Sequence, residues 1–199
     1  GADLEVTRAP FLVHVAALAH GVVSRGVARH AVACDAGEVG EHPRVKGAHG
    51  GRDGELRGLT GLVDWRLNGQ LSRLLRRDFV DGHWLEVTMA PIEGRLPFDR
   101  LLLIGLGRRS EFNAQRFEES CRAGFATLAG VGALRWAMPM PGRIGLDVGV
   151  RQALSGWKRA LQSALDTTQL AAAEVTVLES PEVLRELAEP LRTVARELS

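Results

Sequence analysis

Gly105-Leu106-Gly107-Arg108-Arg109 is the stretch of this chain whose residue types are best suited to binding chemistry. It closes the apolar run from Leu101 to Leu106, and glycines beside cations at the carboxyl end of a strand can bring backbone amides and positive charge to a phosphate. Gly105, Gly107, Arg108 and Arg109 are therefore the candidate binding residues, with a nucleotide-like small molecule as the ligand class. A full dinucleotide fingerprint needs a third glycine where this chain has Ser110. A plain turn from strand to loop is the competing reading.

Metal chemistry finds less support. Of the six histidines, His30 would share a helix face with Cys34, and His42 and His49 follow. Zinc sites combine tighter pairs on opposing elements, and neither C-x-x-C nor H-E-x-x-H occurs. His83, between Gly82 and Trp84, reads as a surface residue. None of Ser24, Ser72, Ser110, Ser120, Ser155 and Ser163 sits in a nucleophile elbow. Asp64-Trp65-Arg66 is most simply an acid near a helix cap and an aromatic packed on a sheet. The acids are scattered, whereas two-metal hydrolysis needs them clustered. No catalytic residue, metal or cofactor is expected.

The elements that would position the glycine stretch are legible from residue 56 onward. Thr60 can cap a helix with Leu67, Leu71, Leu74 and Leu75 at helical spacing and Gly69 inside it. Trp84 to Met89 alternates like a strand, and Leu101 to Leu106 reads as a central strand covered on both faces. Asn113 to Ala129 is a helix with Phe117, Cys121, Phe125 and Leu128 on one stripe. Leu134 to Met138 is a short strand, Asp147 to Leu165 a helix and Glu174 to Leu178 a strand of alternating valines. Ser180-Pro181-Glu182 starts a last helix that Pro190 should kink or divide. This order argues for a three-layer α/β/α sandwich with a mixed, largely parallel sheet.

Residues 1–55 read as a poorly defined arm with at most one strand, and 56–199 as the α/β domain. Leu12 to Val23, within the apolar run that opens at Phe11, is a buried strand or a short helix. The Gly-, Ala-, Arg- and His-rich stretch from Ser24 to Glu55 predicts loop.

A chain of 199 residues, 45% hydrophobic and 25% charged, can bury a core of ordinary size. The net charge of +1 gives no reason to expect nucleic acid or an anionic membrane as partner. The charge is uneven: residues 95–159 carry eleven Arg or Lys against five acids, and residues 160–199 three against seven. Two isolated cysteines, Cys34 and Cys121, fit a reducing compartment. The apolar run near the start is too short to span a bilayer and lacks a cationic leader, so a cytoplasmic location is expected.

LTGLVDWRLNGQLSRLL (Leu59 to Leu75), followed by LLLIGLGRR (Leu101 to Arg109), resembles the N-terminal domain of the leucyl aminopeptidase family. The resemblance runs from about Leu56 to Leu198. It implies a macro-domain-like fold, with a mixed sheet between helical layers and two strands within the first 55 residues. It also implies that the Gly-Leu-Gly is a structural turn. Catalysis in the family uses a lysine, aspartates and a glutamate in a C-terminal half that includes an N-T-D-A-E-G-R segment, and this sequence has none. The resemblance thus implies a non-catalytic domain acting in protein interaction, oligomerisation or regulation, with itself or another protein as partner. Alternatives are an ADP-ribose or nucleotide-binding module of macro type, and a fragment of a complete zinc or manganese leucyl aminopeptidase.

Overall fold

The computed structural model describes residues 11–18, 31–33, 58–92, 96, 98, 100–140 and 149–198. Strands β1 (Phe11–Leu18) and β2 (Ala31–Ala33) precede helices α1 (Gly58–Arg66) and α2 (Gln70–Arg76). Then come β3 (Val87–Pro91), β4 (Arg100–Arg108), a 3-10 turn (Arg109–Glu111), α3 (Ala114–Gly130) and β5 (Arg135–Met138). Helices α4 (Val150–Ala164) and α5 (Thr167–Ala172), strand β6 (Glu174–Glu179) and helix α6 (Pro181–Glu197) complete the chain. The fold is α/β.

Among the described residues the six strands form one sheet in the order β2-β6-β5-β1-β4-β3. Pairing is parallel only at β2–β6 and β5–β6. It is antiparallel at β1–β4, β1–β5 and β3–β4. The sheet is therefore mixed but not largely parallel. The reason is β1, which is inserted antiparallel between β4 and β5 and so reverses direction in the middle of the sheet. Two strands come from the segment before residue 56, where the sequence pattern offers at most one. β1 resolves the ambiguity of Leu12 to Val23 in favour of a strand, and β2 falls inside the stretch that composition assigns to loop.

Strand β4 explains how the core is divided. Seven consecutive residues, Leu101 to Gly107, are buried. Leu102, Ile104 and Leu106 join Phe117, Cys121, Phe125, Leu154 and Trp157 in one apolar cluster under α3 and α4. Leu101 and Leu103 face the other way, toward Leu67, Leu71 and Val80 under α1 and α2. Period-two alternation of side chains places apolar residues on both faces only when both are covered. Each such leucine contributes about 1.5–3 kcal/mol by leaving water. Phe125 anchors the larger cluster, meeting the Trp157 ring edge-on at 5.2 Å.

The local starts and stops follow the sequence with several revisions. Asn113 caps α3, its side-chain oxygen accepting from the Arg116 amide at 3.0 Å. Thr60 lies within α1 rather than capping it, and the expected single helix breaks at Asn68-Gly69. Both residues there adopt left-handed backbone, with φ 53° and 75°. Strand β3 starts at Val87 and not at Trp84, because Leu85 is also left-handed, with φ 58°. Helix α6 runs through Pro190 undivided. Helix α5 is an addition to the expected order. Asp166 and Gln169 start it with a reciprocal capping box, whose D-x-x-Q spacing is present in the sequence.

Candidate functional site

The Gly105–Arg109 segment lies at the end of β4, as the sequence implies, but its approach side is occupied by the chain itself. Leu85 and Glu86 together oppose Gly105 in a β-bulge: the Leu85 amide donates to the Gly105 carbonyl at 2.9 Å, and the Gly105 amide donates to the Glu86 carbonyl at 2.8 Å. A Cβ at position 105 would stand 1.9 Å from the His83 carbonyl oxygen, so only glycine permits this approach. The Gly107 amide donates to the Gly82 carbonyl at 3.1 Å. Both glycine amides are thus spent on residues 82–86 rather than turned toward a phosphate.

The bulge has its own support. The Glu86 carboxylate accepts from the Asp81 and Gly82 amides at 3.0 and 2.7 Å, closing the turn that presents His83. Trp84 packs against Gly107, and the Arg116 guanidinium sits 4.8 Å from the centre of the Trp84 ring while pairing with Glu111 at 2.8 Å. Arg108 is exposed at the strand end, and the Arg109 side chain lies outside the described residues. Gly105, Gly107 and Arg108 lie within β4 and Arg109 opens the 3-10 turn after it, and the geometry of the two glycines is that of close backbone packing against residues 82–86.

Of the residues considered for metal or acid–base chemistry, His30, Cys34, His42 and His49 lie outside the described residues. Among the described residues no group of three His, Cys, Asp or Glu side chains is placed to hold a metal ion. His83 is exposed, 3.7 Å from Asp81. Cys121 is fully buried, and that burial pushes its thiol far above the ordinary range. Between α3 and α4 lies a cleft of about 570 Å³ with Glu118, Arg122 and Arg159 among its lining residues. Arg159 closes part of it by gripping the Glu118 carboxylate through two nitrogens, at 2.7 and 3.3 Å. That bond raises the guanidinium pKa further.

Asp64-Trp65-Arg66 is where expectation and structure part most clearly. Asp64 is buried and acts beyond its own helix. Its carboxylate accepts from the Ser72 amide at 3.1 Å and the Ser72 hydroxyl at 2.5 Å, which caps α2 from α1. Trp65 does not pack on the sheet. It is 65% exposed, with the Arg66 guanidinium 5.4 Å from its ring centre. The reason is helical phase. Val63 and Leu67 turn inward one turn apart, which leaves Leu62, Trp65 and Arg66 on the outer side. The same reasoning on α2 puts Leu71, Leu74 and Leu75 inside and Arg73, Arg76 and Arg77 outside. Sequence reading missed this surface, although the spacing of 63, 67 and 71 carries the signal.

The sequence profile of the cytosol aminopeptidase family, N-terminal domain, matches residues 39–161. The chain belongs to the cytosol aminopeptidase family. Within that family the match is to the N-terminal domain, and it takes in α1 to α3, β3 to β5 and most of α4. A solved structure similar to this aminopeptidase-family domain is a mutant of tomato leucine aminopeptidase, at 17% identity and a TM-score of 0.45. The alignment covers 69% of this chain and 28% of the tomato one, so the domain spans little more than a quarter of that enzyme's length. No curated protein sequence matches the chain. No helix among the described residues is long and apolar enough to cross a membrane.

Proposed function

We propose that this cytosol aminopeptidase-family domain works by contact rather than by chemistry, as a cytoplasmic, non-catalytic module for protein interaction, assembly or regulation. The observation that carries the reading is the placement of large exposed apolar side chains. Of six among the described residues, Leu62 and Trp65 stand one helical turn apart on the outer side of α1 and Phe79 follows α2, while Leu85 and Val87 lie at the β3 edge, Val87 on the sheet face it shares with Ile104. Exposed apolar residues gathered in one region mark interaction surfaces, whereas scattered ones do not. The match to the N-terminal domain of the family supports the same reading. We further read the fold as a three-layer α/β/α sandwich of macro-domain type, supported by the way β4 sends side chains into two separate apolar clusters.

A second reading is supported by the match to the N-terminal domain of the family: that it serves as one part of a complete zinc or manganese leucyl aminopeptidase. In both readings the domain's own contribution is contact. The test is turnover of leucyl-p-nitroanilide by the pure chain with added zinc or manganese, alongside sedimentation velocity over a range of concentrations. No hydrolysis is expected. Turnover above the buffer rate refutes the non-catalytic reading.

A further inference from the structure

The outer surface of the α1–α2 layer combines two stripes. On α1, Leu62, Trp65 and Arg66 stand at i, i+3 and i+4, with Leu62 and Trp65 exposed by 42% and 65%. On α2 and its C-cap, Arg73, Arg76 and Arg77 repeat that spacing, all exposed. The Arg73 guanidinium donates to the Asn68 carbonyl at 2.6 Å, which holds it back over the turn toward α1. Among the described residues, Arg66, Arg76 and Arg77 pair with no carboxylate, and the nearby Asp64 is committed to Ser72. An apolar stripe beside a cationic one, with a Trp and several Arg at hand, is the composition of an interface hot spot.

We infer that this face docks an acidic, amphipathic segment of another protein, whose apolar side chains meet Leu62 and Trp65 and whose carboxylates meet the arginines. The inference rests on the interaction reading above and names its surface and partner chemistry. Charge decides the occupant. A second copy docked isologously with its two-fold axis across the stripes would set the arginine stripes against each other, and with the axis along them it would seat guanidinium groups on apolar side chains, leaving their charge without a counterpart. An extended polyanion, such as nucleic acid or an anionic bilayer, draws on a broad basic surface, whereas this chain carries a net charge of only +1 and seven acids against three cations in residues 160–199. A short acidic segment needs only the local stripe. Arg66 lies over Trp65 and Arg73 is bonded to the Asn68 carbonyl, contacts that hold both guanidinium groups on this face.

The experiment uses the full chain and a synthetic amphipathic peptide with Glu along one helical face and Leu and Phe along the other. Its controls are the same peptide with Lys for Glu, phosphatidylserine vesicles and a single-stranded oligonucleotide. Saturable binding of the acidic peptide is expected, weakened about tenfold or more by Trp65→Ala and by Arg76→Glu/Arg77→Glu, the loss expected for truncating an anchor. The distant reversal Arg122→Glu/Arg196→Glu should leave it within about twofold, since exposed charges beyond a Debye length are screened. All these positions are exposed, and a circular dichroism melt confirms that each variant folds. Absence of saturable binding overturns the inference. So does an equal loss in the distant reversal, indifference to Trp65→Ala, or tighter binding to vesicles or oligonucleotide. Self-association without peptide binding would sink this inference and leave the broader reading intact, whereas anilide hydrolysis would sink the broader reading itself.

Discussion

The carbonyl oxygen of His83 fills the space where residue 105 would carry a side chain, 1.9 Å from the position of a Cβ built on Gly105. The obstacle is backbone, tied down on both sides by the bulge hydrogen bonds, so it cannot swing away as a flexible side chain would. Gly105→Ala should cost about 3 kcal/mol, the upper range for an overpacked site. Urea unfolding measures it. Gly130→Ala is the control, since nothing lies within 4 Å of its Cβ position. That change should fall within about 1 kcal/mol of the parent and, if anything, stabilise the helix end.

Leu85 pays a conformational penalty that the bulge imposes. With φ 58° it occupies a region where a side chain with a Cβ costs roughly 1–2 kcal/mol, and it recovers little because 36% of it stays exposed. Leu85→Gly should therefore raise stability by about 1 kcal/mol, or roughly 2–4 °C in Tm for a chain of this size. Leu85→Ala keeps the strain and loses the contact, so it should not gain. A fall in Tm for the glycine variant would show that the contacts of Leu85 outweigh its strain.

Asp64 and Ser72 tie consecutive helices together. Removing the carboxylate with Asp64→Ala leaves the Ser72 hydroxyl and amide without their acceptor and should cost about 2 kcal/mol. Ser72→Ala removes one bond and should cost about 1 kcal/mol. Because they share one interaction, the double variant should lose less than the sum of the two. Additive losses in denaturant unfolding would show that the pair is not coupled.

Glu182 gives α6 a pH dependence of definite sign. Its own backbone amide and then the Ser180 side chain hold the carboxyl below the ordinary carboxylate range. A lowered folded-state pKa contributes stability that is present above the unfolded-state value and lost as pH falls through the folded one. Acid unfolding of the parent chain should therefore show a dependence in that window which Glu182→Gln removes. Identical acid profiles for the two proteins would contradict this.

The parts of the fold most legible in sequence were those where periodicity and capping agree. The stripe Phe117, Cys121, Phe125 and Leu128 is buried as its spacing requires, and the unbroken apolar run of β4 is covered on both faces. Less legible were features set by long-range pairing. β2 is a three-residue strand held by long-range neighbours, its parallel partner β6 and helix α6, so no local pattern announces it. The direction of β1 between β4 and β5 is likewise a tertiary choice. The glycine stretch was located correctly at a strand end, but sequence cannot show that residues 82–86 already lie against it. Trp65 misled because aromatic bulk suggests burial, while helical phase relative to Val63 and Leu67 turns it outward.

The place of β1 in the sheet bears on how the domain can be trimmed. Its backbone is the seam between the β3–β4 pair and the β5–β6–β2 trio, yet it lies outside the span 39–161 that defines family membership. A polypeptide cut to that span would lose β6 and β2 as well as β1, leaving β4 with one bare hydrogen-bonding rim and β5 with two, and hydrophobic side chains behind them. Such rims recruit strands from neighbouring molecules, so the shortened product should precipitate or swap segments where the longer chain stays in solution.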